Sequence, residues 1–351
     1  MAPLRLAWLF AALIAAGPVG AESPHDATIR RGIELHDAGS YEAAIKVYES
    51  VLEDDPADPL ALYEIAMSHQ ALKRFDRCID YASKAAAIRG TAQAAAFSVL
   101  ASCLDGANRD AEAISTFERG LALYPKDVML NYNFAVTLVQ VPDRERARKV
   151  LRVAIEEAPA YPSPYRIYAL SLAEDGELAG ATLMLLRFLM AEPQSDRAID
   201  AAQQVVDAFA DVFEEPQADG EKKITLRIPE GGAASDEADL MFANLALAIA
   251  NAAPSQTNDR AVIPRGDRLS LAMQVFMFTV GESADRKFKH TFMWKHAIEP
   301  LLELEQRNVF DAFAHHVGAL ARVEGAAEWT NQHSEQIERL EQTLAEMHTH
   351  P

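Results

Sequence analysis

The sequence predicts an all-α protein, a solenoid of stacked helical hairpins followed by a smaller helical domain. Three observations carry that expectation. A 34-residue period runs from about residue 25 to residue 195. Within each period, apolar residues recur at three- and four-residue steps in two runs separated by a turn, as paired amphipathic helices require. A pair of small residues spaced 12 apart also returns: Gly32 and Ala44, Ala66 and Cys78, Ala101 and Ala113, Ala135 and Ala147, Ala169 and Ala181. Helices that cross closely need such side chains at the crossing. One hairpin cannot bury its own apolar face, so repeats of this length stack.

The elements follow in chain order. In the first period, helix A is expected over Ala27 to Asp37, with Ile29, Gly32, Ile33 and Leu35 on its packing side. Gly39 ends it, because the residue after a helix commonly takes a positive φ. Helix B is expected over Tyr41 to Glu53, with Ala44, Ile45, Tyr48, Val51 and Leu52 inward, and Pro56 stops it. The skeleton returns as Phe75, Cys78, Ile79, Ala82, Ala85 and Ala86, then as Ala113, Ile114, Phe117, Gly120 and Pro125. It returns again as Ala147, Leu151, Ala154, Ile155 and Pro159, and as Ala181, Leu185, Phe188, Leu189 and Pro193. The second period ends in Arg89-Gly90 in place of a proline, and one extra residue near Ala92 or Gln93 precedes the third.

These units resemble tetratricopeptide repeats (TPRs), in five consecutive copies at about 25–58, 59–92, 94–127, 128–161 and 162–195, roughly half of the chain. The resemblance implies a right-handed superhelix whose A helices line a concave face, where an extended or helical segment of another protein is taken. The stripe of each A helix opposite its small packing residue then supplies the candidate contacts. It holds His36 and Asp37, then Tyr63, Met67 and Gln70, then Ser98, Ser102 and Asp105. It continues with Met129, Tyr132, Asn133 and Gln140, and ends with Arg166 and Glu174. Aromatic rings give contact area and amides satisfy a ligand backbone, while Met adapts to irregular apolar partners. Tyr63, Met67, Gln70, Tyr132, Asn133, Gln140 and Arg166 are the strongest of these. Arg166 is the set's single cation, so the lysine-rich carboxylate clamp of chaperone-binding TPRs is not expected.

Residues 1–21 read as a signal peptide: Arg5 near the start, an apolar run from Leu6 to Ala16, and Val19-Gly20-Ala21 before Glu22. Cleavage there predicts a periplasmic or secreted chain, with solenoid and capping helix over 22–213, a linker at 214–239 and a helical domain at 240–351. No transmembrane anchor is expected in the mature chain. The two cysteines, Cys78 and Cys103, read as small buried hydrophobes, Cys78 filling an alanine-type slot, with a disulfide as the alternative. The net charge is −19 without a basic stripe, which argues against nucleic acid as a partner.

Beyond the repeats, Arg197 to Phe213 is expected to cap the solenoid, and Ile224 to Ile228 alternates like a short strand. Further helices are expected over 240–252, 269–280, 288–306, 309–322 and 327–347. Phe292-Met293-Trp294, Pro300 and Phe310-Asp311-Ala312-Phe313 are similar to the helical tails behind TPRs in bacterial secreted proteins, a similarity that implies no activity. No catalytic residue, metal site or cofactor is expected. There is no GxSxG and no glycine-rich phosphate loop. His290 and His296 are six apart and His315-His316 adjacent, whereas helical metal ligands sit three or four apart. The expected function is a non-enzymatic scaffold or adaptor of the cell envelope that binds a protein or peptide segment. The alternative is an assembly protein whose C-terminal helices self-associate or fill the groove.

Overall fold

The structure, a computed structural model, describes residues 23–141, 143–213, 235–252, 263–283 and 291–349. The signal peptide, the Ile224–Ile228 alternation and His290 lie outside the described residues. Two compact units divide the chain at residues 143 and 144. Among the described residues every element is a helix or turn, so the all-α hairpin solenoid is present.

The first unit runs α1 (Pro24–Asp37), α2 (Tyr41–Asp54), α3 (Pro59–Ala71), α4 (Phe75–Ala87), α5 (Gln93–Gly106), α6 (Asp110–Leu123) and α7 (Val128–Gln140). The same backbone device ends α1, α3 and α5. Residues Gly39, Lys73 and Asn108 have positive φ. Around each, one amide reaches back three residues and the next reaches back five, as in Ser40 N to Leu35 O at 2.8 Å and Gly39 N to His36 O at 2.8 Å. This pairing satisfies carbonyls that the helix end leaves open. Asp58 and Asp127 cap α3 and α7 by accepting from the amides of Ala61 and Leu130.

All ten small residues of the 12-spaced pairs are buried. At Gly32 the close neighbour is the Tyr48 ring: a Cβ there would lie 2.2 Å from it. The extra residue before the third hairpin becomes a latch. Buried Gln93 donates to the Ala86 carbonyl at 2.9 Å and accepts from the Tyr124 hydroxyl at 2.6 Å. Cys78 and Cys103 form a disulfide between α4 and α5, correcting the reading of two free hydrophobes. Their slots are adjacent across the repeat boundary, with Cα atoms 6.2 Å apart, which is within disulfide reach.

The second unit runs α8 (Arg144–Glu157), α9 (Ser163–Glu174), α10 (Leu178–Ala191), α11 (Asp196–Ala208) and a 3₁₀ turn (Ala210–Phe213). It continues with α12 (Ser235–Ala252), α13 (Arg265–Ser283), a π-helical turn (Trp294–Ile298), α14 (Glu299–Gln306), α15 (Phe310–Leu320), α16 (Ala326–Gln332) and α17 (Ser334–Thr349). The π turn lies just before Pro300, whose ring would clash with the carbonyl four residues back in a regular helix. The sequence reads as one terminal helix, but two form. His333 bonds the Trp329 carbonyl at 2.9 Å and stacks on its ring at the break. α9 and α11 flank α10, and α12, the π turn, α14 and α17 also pack on it, so every residue from Ala179 to Met190 is buried. α11 packs on α15 as well, and Phe209 meets Phe276 of α13 edge-on at 5.8 Å.

Candidate functional site

In the first unit, α1 packs on α3, α3 on α5 and α5 on α7, whereas α2, α4 and α6 pack mainly on the A helices. The A helices therefore approach one another more closely, and their free stripe is the unit's inner face. Polar bonds tie that stripe together from helix to helix. His36 Nδ1 and Ser68 Oγ share a bond of 2.9 Å between α1 and α3, and Asn133 Nδ2 donates to Ser98 Oγ at 2.7 Å between α7 and α5.

Tyr63, Met67 and Gln70 of α3 are half-buried along this stripe, as are Ser102, Asp105, Met129, Tyr132 and Asn133. Asp37 and Gln140 are exposed at the ends of their helices, and Ser98 is buried. Asn133 and Ser98 are thus engaged with each other and build the wall. Arg166 and Glu174 lie on α9 of the second unit. Arg166 is half-buried, and Glu174 accepts from Arg144 Nε at 2.7 Å.

Sequence reasoning missed two residues. Glu64, partly buried beside Tyr63, accepts from the Tyr48 hydroxyl at 3.4 Å. Burial, with Asp37 adding and the Tyr48 bond opposing, pushes its carboxyl up to about 7. Burial and the neighbouring Glu64 likewise push the Tyr63 phenol upward. The signal was available, since Glu64 holds the repeat position that Asn133 holds in α7. Leu170 of α9, 41% exposed, holds the position of Met67. Asp105 is raised by burial and by Asp110 against a bond from Thr137. The stripe thus presents phenols, a thioether, amides and a carboxyl raised to about 7. No metal-binding cluster occurs among the described residues.

The fold is that of a helical-hairpin repeat protein. The family described as TPR repeat matches residues 32–73, from the middle of α1 through α3, and the chain carries tetratricopeptide repeats. Similar solved structures include TTC0263, a thermophilic TPR protein of Thermus thermophilus. It is 20% identical over 52% of this chain and 99% of that chain, with a TM-score of 0.46. PilF of Pseudomonas aeruginosa is 20% identical over 53% and 84%, with a TM-score of 0.46. YrrB, described as a TPR protein with an unusual peptide-binding site, is 17% identical over 52% and 89%, with a TM-score of 0.38. No curated protein matches.

Proposed function

We propose that this chain is a non-enzymatic adaptor of the cell envelope that binds a segment of a partner protein on the A-helix face. The observation that carries this reading is the inner stripe of the first unit. Tyr63, Met67, Gln70 and Tyr132 are half-buried there, on a wall braced by the His36–Ser68 and Asn133–Ser98 bonds. Half-buried rings on a braced wall lose little freedom when a ligand covers them. In the second unit, Arg166 and Leu170 of α9 hold the repeat positions of Tyr63 and Met67. The predicted signal peptide supports an envelope location, and so does the Cys78–Cys103 disulfide, because disulfides persist in oxidising compartments. Among the described residues no helix is long and apolar enough to cross a membrane. The organisation proposed is repeats and cap over 22–213, a linker, and a helical domain from 240.

A cross-linked pull-down from the native envelope fraction tests the reading. Tyr63→Ala with Tyr132→Ala is expected to abolish capture of a specific partner while the far-ultraviolet dichroism stays unchanged. An identical set of captured proteins would refute it.

A second reading, self-association, is favoured by one observation. Leu245 and Ile249 of α12 and Leu271 and Phe278 of α13 are exposed, Phe278 at 65%. Sedimentation of the full chain and of Phe278→Asp tests it, with oligomers lost in the variant as the supporting outcome. Truncation before α12 is unsuitable because it would strip the cover from α10.

A further inference from the structure

α10 buries a cation. Arg187 is only 8% exposed. Its guanidinium lies over the Tyr165 ring, 5.1 Å from the centroid. Nη2 donates to the Pro159 carbonyl at 3.3 Å, which also accepts from the Tyr165 hydroxyl at 2.9 Å. Nε has no hydrogen-bond partner, and no carboxylate among the described residues pairs with this guanidinium. Buried charges are ordinarily paired, since an unpaired one forfeits its hydration without recompense.

The repeat explains how the cation came to be there. The same position carries Lys84 and Arg119 in the second and third repeats, and each also lies over a ring, Tyr81 at 5.2 Å and Phe97 at 5.5 Å. Those two cations are exposed. In the fifth repeat the cation lies, as in the third, over a ring of the preceding A helix, and the pair is roofed over by the C-terminal helices.

Beneath that roof Arg187 lines a cavity of about 530 Å³, within the usual range for small-ligand sites. Arg307, on the same cavity, is matched by Glu303 at 2.6 Å and Glu346 at 2.8 Å. Glu156 also lines it but forms no ion pair with Arg187. Burial, Lys295 and Arg187 together depress the His296 imidazole to about 4, so it adds no positive charge at neutral pH. Tyr165, Pro300 and Met347 supply apolar wall.

We propose that this cavity binds an organic carboxylate, its oxygens on the Arg187 guanidinium and its apolar remainder against Tyr165, Pro300 and Met347. A free small acid and the terminal residue of a peptide offer the same chemistry. Isothermal titration of the full chain separates them, with hexanoate, an acetylated pentapeptide ending in leucine with a free carboxylate, its amidated twin, and inorganic phosphate. Saturable binding below about 1 mM is expected for hexanoate, for the free-carboxylate peptide, or for both, with the amidated twin at least about 10-fold weaker. Hexanoate alone identifies the small-acid source, and the peptide alone identifies the terminal one.

Arg187→Gln is expected to weaken binding by about 10-fold or more. Should that variant fold poorly, the arginine Nε–H resonances of the wild-type chain serve instead, and one of them is expected to shift on saturation with the bound acid. Binding of neither carboxylate, preference for phosphate, equal affinity for the amidated twin, or an unmoved arginine spectrum overturns the proposal.

Discussion

The outer faces of α4 and α10 occupy the same place in their repeats and meet opposite fates. Three outward B-helix positions read Lys46, Glu49 and Glu53 in the first repeat and Asp80, Ser83 and Ala87 in the second. They read Ser115, Glu118 and Ala122 in the third and Lys149, Arg152 and Glu156 in the fourth. All but half-buried Arg152 are exposed. In the fifth repeat they become Leu183, Leu186 and Met190, all buried. A helix that is apolar all round belongs inside a protein. The difference teaches that one hairpin serves as either a solvated repeat or a docking post for further helices, according to three side chains.

The largest test of that contrast is a charge at one matched position. Leu186→Asp is expected to destabilise the second unit by more than about 4 kcal/mol, whereas Ser83→Asp in α4 changes stability by less than about 0.5 kcal/mol. Chemical denaturation of the two variants measures both. Next comes the disulfide, which ties α4 to α5 and leaves the second unit untouched. Replacing Cys78 and Cys103 with Ala is expected to cost about 3 kcal/mol in the first unit, seen as earlier melting there without a change in α10 amide protection.

Smaller effects come from titration. The folded Glu64 carboxyl, at about 7, lies above its unfolded value, so the folded state holds the proton more tightly. Stability of the first unit is therefore expected to fall as pH rises from about 4.5 to about 7 and then level off. Glu64→Gln is expected to remove that slope and recover about 1–2 kcal/mol at pH 8. His315 gives the smallest effect. Burial opposes its charge, but hydrogen bonds to Asp311 and Asp267 outweigh that and raise its pKa. Its contribution is present below about pH 6.5 and lost as pH rises through the folded value. His315→Gln should lower the second unit's stability at pH 6 and leave it nearly unchanged at pH 9. The stacked Trp329 ring, 3.9 Å away, gives a fluorescence readout.

The repeats were legible because periodicity is written in side chains that every copy needs, the small seam residues above all. Gly39 also announced its turn, but Lys73 and Asn108 hold positive φ without being glycine. Backbone bonds at the helix ends stabilise that conformation whatever the residue. The disulfide was not legible, because a cysteine in an alanine-type slot looks the same paired or free until the neighbouring helix is placed. The candidate face was read as a stripe of independent contacts, yet Asn133 and Ser98 bond each other across two helices. Reading down the repeat columns, rather than along each helix, also identifies Glu64, Leu170 and the apolar outer face of α10.

A photo-cross-linking amino acid placed at Met67 on the inner face and, separately, at Ser83 on the outer face of α4 tests the central claim most directly. The full chain in its native cells should form a discrete cross-linked species with a partner protein from position 67 and none from position 83. Cross-linking from position 83 alone, or equally from both, would contradict a binding face formed by the A helices.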